Sequence, residues 1–204
     1  MLKNIAVFVS GSGTNLQAII DSIKLGQIKN ARISLVVASK EGIYALERAK
    51  RENIPALIYK KANYPSLDKM FEEITIELEK RQIDLIVLAG YLLILTPNIV
   101  KRYRNRIINI HPSLIPKYSG DGFYGMKVHK AVIENKEEYS GATVHFVDEG
   151  TDTGEIILQE RVKVYENDTP ETLAERVLEL EHKLYAKAIN KIINGDENEK
   201  KSID

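Results

Sequence analysis

The chain contains no cysteine, only four histidines in 204 residues, and no excess of charge of either sign. Without cysteine there is no thiol nucleophile, no thiolate metal site and no disulfide. Lys and Arg total 29 and are balanced by 29 Asp and Glu. A chain so balanced lacks the basic footprint of a nucleic-acid or anionic-membrane binder, so small-molecule partners are expected. Long hydrophobic runs are also missing. The opening MLKNIAVFVSGSG has only IAVFV as an apolar run, too short for a secretory core or a membrane span. It reads as a first strand, and the expected setting is the cytoplasm. No repeat or low-complexity linker interrupts the chain.

Hydrophobic residues make up 44% of the chain, enough to bury a sizeable core, and the length suits one α/β domain over 1–204. Short apolar runs alternate with longer amphipathic stretches. Strands are predicted at 3–9, 32–39, 56–60, 83–90, 106–110, 141–148 and 155–165. Helices are predicted at 14–26, 43–52, 67–81, after Thr96-Pro97, at 126–135 and from Thr169-Pro170 to about Asn194. A polar tail follows from about residue 195. The opening βαβαβ order implies a single three-layer domain, with a mostly parallel twisted sheet and helices on both faces. Ligands of such sheets bind outside the carboxyl ends of the strands. Three loops of unusual content follow strands: SGSGTN (10–15), GYLLIL (90–95) and HPSLIP (111–116).

In SGSGTNLQ, Gly11 and Gly13 permit a tight turn, and Thr14 and Asn15 open a helix whose free N–H groups favour an anion. Leu16 stands where a dinucleotide fingerprint needs glycine, and no GK[ST] is present. A monophosphate suits the loop better than NAD or ATP; a turn without a ligand is the plain alternative. Asn109 and His111 lie two apart at a strand end, hence on one face. Side-chain amide and imidazole can both donate to one oxygen, as a developing oxyanion requires. A histidine satisfied by a turn is the alternative. DEGTDTGEI (148–156) carries Asp148, Glu149 and Asp152, as an ordinary acidic turn also would. A carboxylate near His111 would hold its imidazolium and move protons. In the last helix Glu181 falls among Leu173, Val177, Leu184, Tyr185 and Ala188 on the apolar arc, where an unpaired carboxylate is costly. It serves either a ribose diol or a structural hydrogen bond. His129 sits on a charged helix and is expected in solvent, and His182 reads as structural. His145, alternating with Val144 and Phe146, is either a supporting group or simply packed.

SGSGTNLQAI, LAGYLLILTP, INIHPSLIPKY and GATVHFVDEGTDTGEIILQ together resemble the phosphoribosylglycinamide formyltransferases, within the wider folate-dependent formyltransferase group. The resemblance runs in order from residue 3 to about 190. It implies a Rossmann-like formyltransferase fold and transfer of a formyl group from 10-formyltetrahydrofolate to the amine of glycinamide ribonucleotide in purine biosynthesis, without a metal. By position it implies Asn109, His111 and Asp152 as the catalytic trio. Gly13, Thr14 and Asn15 become the substrate-phosphate loop, and Glu181 a ribose contact. Leu92, Leu93, Ile94 and Leu95, with Asn109, line the folate site. Leu93 departs from the arginine often found there, and SGDGFYGMK (119–127) is longer than in some members. Gly120, Gly122 and Gly125 around Phe123 and Tyr124 suggest a segment that orders over the ligands. Two other readings stand beside this one: a hydrolytic deformylase, in which water replaces the amine, and a non-catalytic nucleotide-binding module.

Overall fold

In the computed structural model, residues 1–195 are described; the polar tail expected from about 195 lies, from 196 onward, outside them. Among the described residues, seven strands form one sheet in the order β3-β2-β1-β4-β5-β6-β7. They are β1 (Lys3–Val9), β2 (Ala31–Ala38), β3 (Ala56–Ile58), β4 (Leu85–Leu88), β5 (Ile107–His111), β6 (Tyr139–Phe146) and β7 (Ile156–Lys163). The first five run parallel, and β6 and β7 extend the sheet antiparallel. The α/β class and the mostly parallel sheet are as the alternation of patterns implied. Strand ends differ from the expected ones by at most two residues, and the fifth strand includes His111 rather than stopping before it.

The α-helices of the described residues pack on the sheet: α1 (Thr14–Lys24), α2 (Tyr44–Arg51), α3 (Leu67–Lys80), α4 (Pro97–Arg102), α5 (Met126–Glu134) and α6 (Pro170–Asn194). The period-two alternation of β1 divides the core. Ile5, Val7 and Val9 face a cluster shared with α1, α2, α5 and α6, while Ala6 and Phe8 face one shared with α3 and α4. All five side chains are fully buried, which explains why the strand reads as an unbroken apolar run. Helix starts follow local chemistry. Ser66 accepts from the Lys69 N–H at the start of α3, and Thr169 and Thr172 form a reciprocal capping box on either side of Pro170. Thr96 occupies the cap position of α4 without capping it; its hydroxyl is buried with no partner among the described residues.

Two features bring the site together. The chain winds outward from β1 through β2 to β3, then returns to β4 on the other side of β1. The junction of β1 and β4 is therefore the topological switch point, where such sheets leave a crevice. Tyr185 of α6, fully buried, then ties β4 to β5. Its hydroxyl lies 2.8 Å from the Leu88 carbonyl and 3.2 Å from that of Ile108.

Candidate active site

The first loop is built from backbone. Gly13 has φ +74° and caps α1 with no side-chain hydrogen bond, so the first-turn N–H groups remain available to an anion. Asn15, the second residue of α1, is buried and donates from Nδ2 to Oε2 of Glu181 at 2.9 Å. The carboxylate that the helical phase placed on the apolar arc of α6 therefore meets the first loop. Burial pushes Glu181 up to about 7, against a smaller lowering by Asn15. Oδ1 of Asn15 is buried without a partner among the described residues.

The second loop, after β4, runs against the first. Oγ of Ser10 accepts from the Leu92 N–H at 3.0 Å and from the Ser39 hydroxyl at 2.7 Å. Leu92 and Ile94 are exposed, whereas Leu93 and Leu95 turn toward the α3/α4 core. The stretch thus offers a ligand its backbone and two apolar side chains. The arginine missing at 93 lies on the inward-turned side.

The third cluster is made of side chains. Asn109 and His111 share a face of β5, and the antiparallel register sets His145 of β6 directly opposite Asn109. Nδ2 of Asn109 lies 3.4 Å from Nε2 of His145. Nε2 of His145 lies 3.5 Å from Oδ1 of Asp152, and Nδ1 of His111 lies 3.4 Å from Oδ2. Asp152 thus faces both imidazoles from the loop between β6 and β7, held at φ +57°. Its Oδ2 also accepts from the Gly120 N–H at 3.1 Å. Burial raises the carboxyl, but His145, the charge of His111 and the Gly120 N–H together hold it below its ordinary value. Nε2 of His111 donates to the Tyr118 carbonyl at 2.8 Å. That bond fixes the ring and leaves Nδ1 facing Asp152.

The structure brings together Asn109, His111 and Asp152 as one group, and Gly13, Thr14, Asn15 and Glu181 as another. Residues 92–95 lie beside Ser10. The first loop, residues 92–95 and His111 follow or close the carboxyl ends of β1, β4 and β5, whereas Asp152 reaches His111 from the β6–β7 turn and Glu181 reaches Asn15 from α6. The acidic turn divides its labour: Asp148 caps its own loop through the Gly150 N–H and the Thr153 hydroxyl, and Glu149 lies 3.7 Å from Lys101. His145 lies against both Asn109 and Asp152, a placement that only the β5–β6 register reveals. The expectation for His129 is corrected. It is only 5% exposed, because α5 turns Val128, His129 and Val132 inward together and keeps its charges on the other face. Burial, with a smaller contribution from His111, lowers it to about 4, so it is neutral at pH 7. Among the described residues no group of three or more His, Asp or Glu side chains is arranged to hold a metal ion, and no helix is long and apolar enough to cross a membrane.

A formyl transferase family model matches residues 3–189, a span containing every residue of the three clusters. The chain belongs to the formyl transferase family. Within it, the chain is 44% identical over 191 residues to a chloroplastic phosphoribosylglycinamide formyltransferase of Arabidopsis thaliana, covering 93% of this chain and 65% of that protein. It is 40% identical over 194 residues to a phosphoribosylglycinamide formyltransferase of Haemophilus influenzae, covering 95% of this chain and 89% of the other. The crystal structure of a phosphoribosylglycinamide formyltransferase from Bacillus halodurans superposes with a TM-score of 0.88 at 40% identity, covering 96% of this chain and 98% of that one. The chain spans only 14% of the insect trifunctional purine biosynthetic proteins that it also matches.

Proposed function

We propose that this formyl transferase moves the formyl group of 10-formyltetrahydrofolate to the amine of glycinamide ribonucleotide, giving the formylated ribonucleotide and tetrahydrofolate for purine biosynthesis. The observation that carries the reading is the pairing of Asp152 with His111 at the end of β5, 3.4 Å apart, at the sheet edge that also carries an open helix start. The phosphate takes the N–H groups at Gly13, Thr14 and Asn15. Glu181 accepts from the ribose hydroxyls. The folate lies along 92–95 with its formyl group toward Asn109.

The amine nitrogen attacks the formyl carbon, and the carbonyl π pair moves to oxygen. Asn109 Nδ2 donates to that oxyanion, and the Nδ1–H of the His111 imidazolium is shared between it and Asp152. Asp152 pairs with the imidazolium and, through water, passes a proton from the attacking ammonium to the leaving folate nitrogen as the C–N bond breaks. Asn109, not held by a short bond in the free protein, is available to the substrate. No step requires a covalent enzyme intermediate or a metal. Both substrates are small molecules; nucleic acid has no part in the reaction, and the cytoplasm is the proposed setting.

The test is tetrahydrofolate release with glycinamide ribonucleotide present or omitted. Release that needs the ribonucleotide supports transfer. Equal release without it identifies a deformylase, and binding of both ligands without release identifies a non-catalytic module.

A further inference from the structure

The first loop is buttressed from behind by α2. The Ala45 N–H donates to the Gly11 carbonyl at 3.3 Å. Gly13 packs so closely on this helix that an added Cβ would stand 2.7 Å from Ala45 Cβ. One turn further on, Arg48 reaches back to the loop. Its Nε donates to the Ser12 carbonyl at 2.9 Å and its Nη1 to Oε1 of Gln17 at 3.0 Å. The guanidinium carbon also stands 4.8 Å from the centre of the Tyr44 ring. Arg48 therefore spans the turn that opens α1, with one bond on the loop and one on the helix.

This arrangement has two physical consequences. The Ser12 carbonyl is held by the guanidinium, which fixes the peptide plane at the turn that opens α1. In addition, Arg48 forms no ion pair among the described residues, so its charge is not cancelled by a carboxylate. An uncancelled cation beside open helix N–H groups deepens the potential well for a phosphate. Lysine cannot reproduce this, because a single ammonium lacks the planar fork that makes both bonds while the ring is stacked.

We propose that Arg48 is a positioning residue of the phosphate subsite: through Ser12 and Gln17 it sets the loop, and with its charge it strengthens the hold on the phosphate. This rests on reading the loop as the ribonucleotide's phosphate site, and the experiment separates the two. Steady-state constants are measured for wild type, Arg48→Met and Arg48→Lys with glycinamide ribonucleotide and with its dephosphorylated riboside. Inorganic phosphate is titrated as a competitor.

Arg48→Met is expected to raise KM for the ribonucleotide about tenfold or more, by the loss of a charge-assisted contact, with kcat and the folate KM within about twofold. Phosphate inhibition should weaken by a similar factor, the constants for the riboside should stay put, and Arg48→Lys should fall between. A merely structural role predicts equal losses for phosphorylated and dephosphorylated substrates, and that result overturns the proposal. So does an unchanged ratio in a well-folded variant. If Arg48→Met does not fold, the comparison is made on Arg48→Lys, where an unchanged phosphate inhibition constant overturns the proposal. A wild type indifferent to the phosphate overturns the reading of the loop itself, and the role of Arg48 with it.

Discussion

The loop after β1 and the cluster after β5 lie at one edge of the sheet and are built of opposite materials. The first binds with main chain. Its central residue is a glycine at φ +74° pressed against Ala45, and any side chain there is an obstruction. The second works with side chains: two imidazoles and an amide set by strand register around one carboxylate. A backbone site is broken by adding atoms and a side-chain site by removing them. The two sites also treat charge differently. Asp152 is surrounded by donors and held ionised, whereas Glu181 has a single amide donor and is pushed up to about 7. The first arrangement keeps a charge ready for chemistry. The second leaves one short of partners until a ligand supplies them.

The largest contrast comes from truncating the second site. His111→Ala and Asp152→Asn should each lower kcat by about 10²–10³ or more while leaving ribonucleotide affinity within about twofold. Circular dichroism and steady-state kinetics on the same preparations check this. A folded variant with near-normal turnover contradicts the assigned roles. The reverse experiment adds one methyl group to the first site. Gly13→Ala places a Cβ at positive φ, costing roughly 1–2 kcal/mol, and forces it against Ala45. Ribonucleotide affinity should fall at least tenfold with folate affinity retained. Isothermal titration with each ligand reads the difference, and equal losses for both would break the comparison.

Glu181→Gln sharpens it through pH. The folded pKa, about 7, lies above the ordinary 4.5, so the folded protein holds this proton more tightly than the unfolded chain does. Stability from this group is therefore full below about pH 4.5, declines as pH rises to about 7, and is flat above. Glutamine removes that decline. The variant should be more stable at pH 8 by about 1–3 kcal/mol, and denaturant unfolding across the range measures it. Ribonucleotide binding should weaken about tenfold and lose the gain that wild type shows as pH rises through 7. A large loss of stability with normal affinity would instead make Glu181 structural. The smallest effect concerns the segment above the second site. Gly120 bonds Asp152 at 3.1 Å, and the Thr151 hydroxyl bonds Asp121 at 3.3 Å; Gly120, Gly122 and Gly125 all have positive φ. Amide exchange over 119–125 should slow when both ligands are bound. Exchange unchanged at saturation would remove this segment from the account.

Much of this was legible in the sequence because its causes are local. The period-two runs, Ser66, Thr169-Pro170 and the glycine-rich turn act within a few residues. Asn109 and His111 share a face by strand geometry alone, and Glu181 was conspicuous against its apolar arc. What the sequence hid depends on partners far along the chain. His145 becomes a neighbour of Asn109 only through the β5–β6 register. His129 follows the packed face of a helix whose other face carries Lys127, Lys130 and Glu134. The Tyr118 carbonyl that fixes His111 is main chain and carries no residue signature, and Ser10 reveals itself only where β4 lies beside β1.

Tetrahydrofolate release, followed in one preparation with glycinamide ribonucleotide present and then omitted, tests the central claim most directly. Rapid release that requires the ribonucleotide, and that His111→Ala abolishes, is the result the account predicts. Release at the same rate without the ribonucleotide, or release that survives the loss of His111, would contradict it.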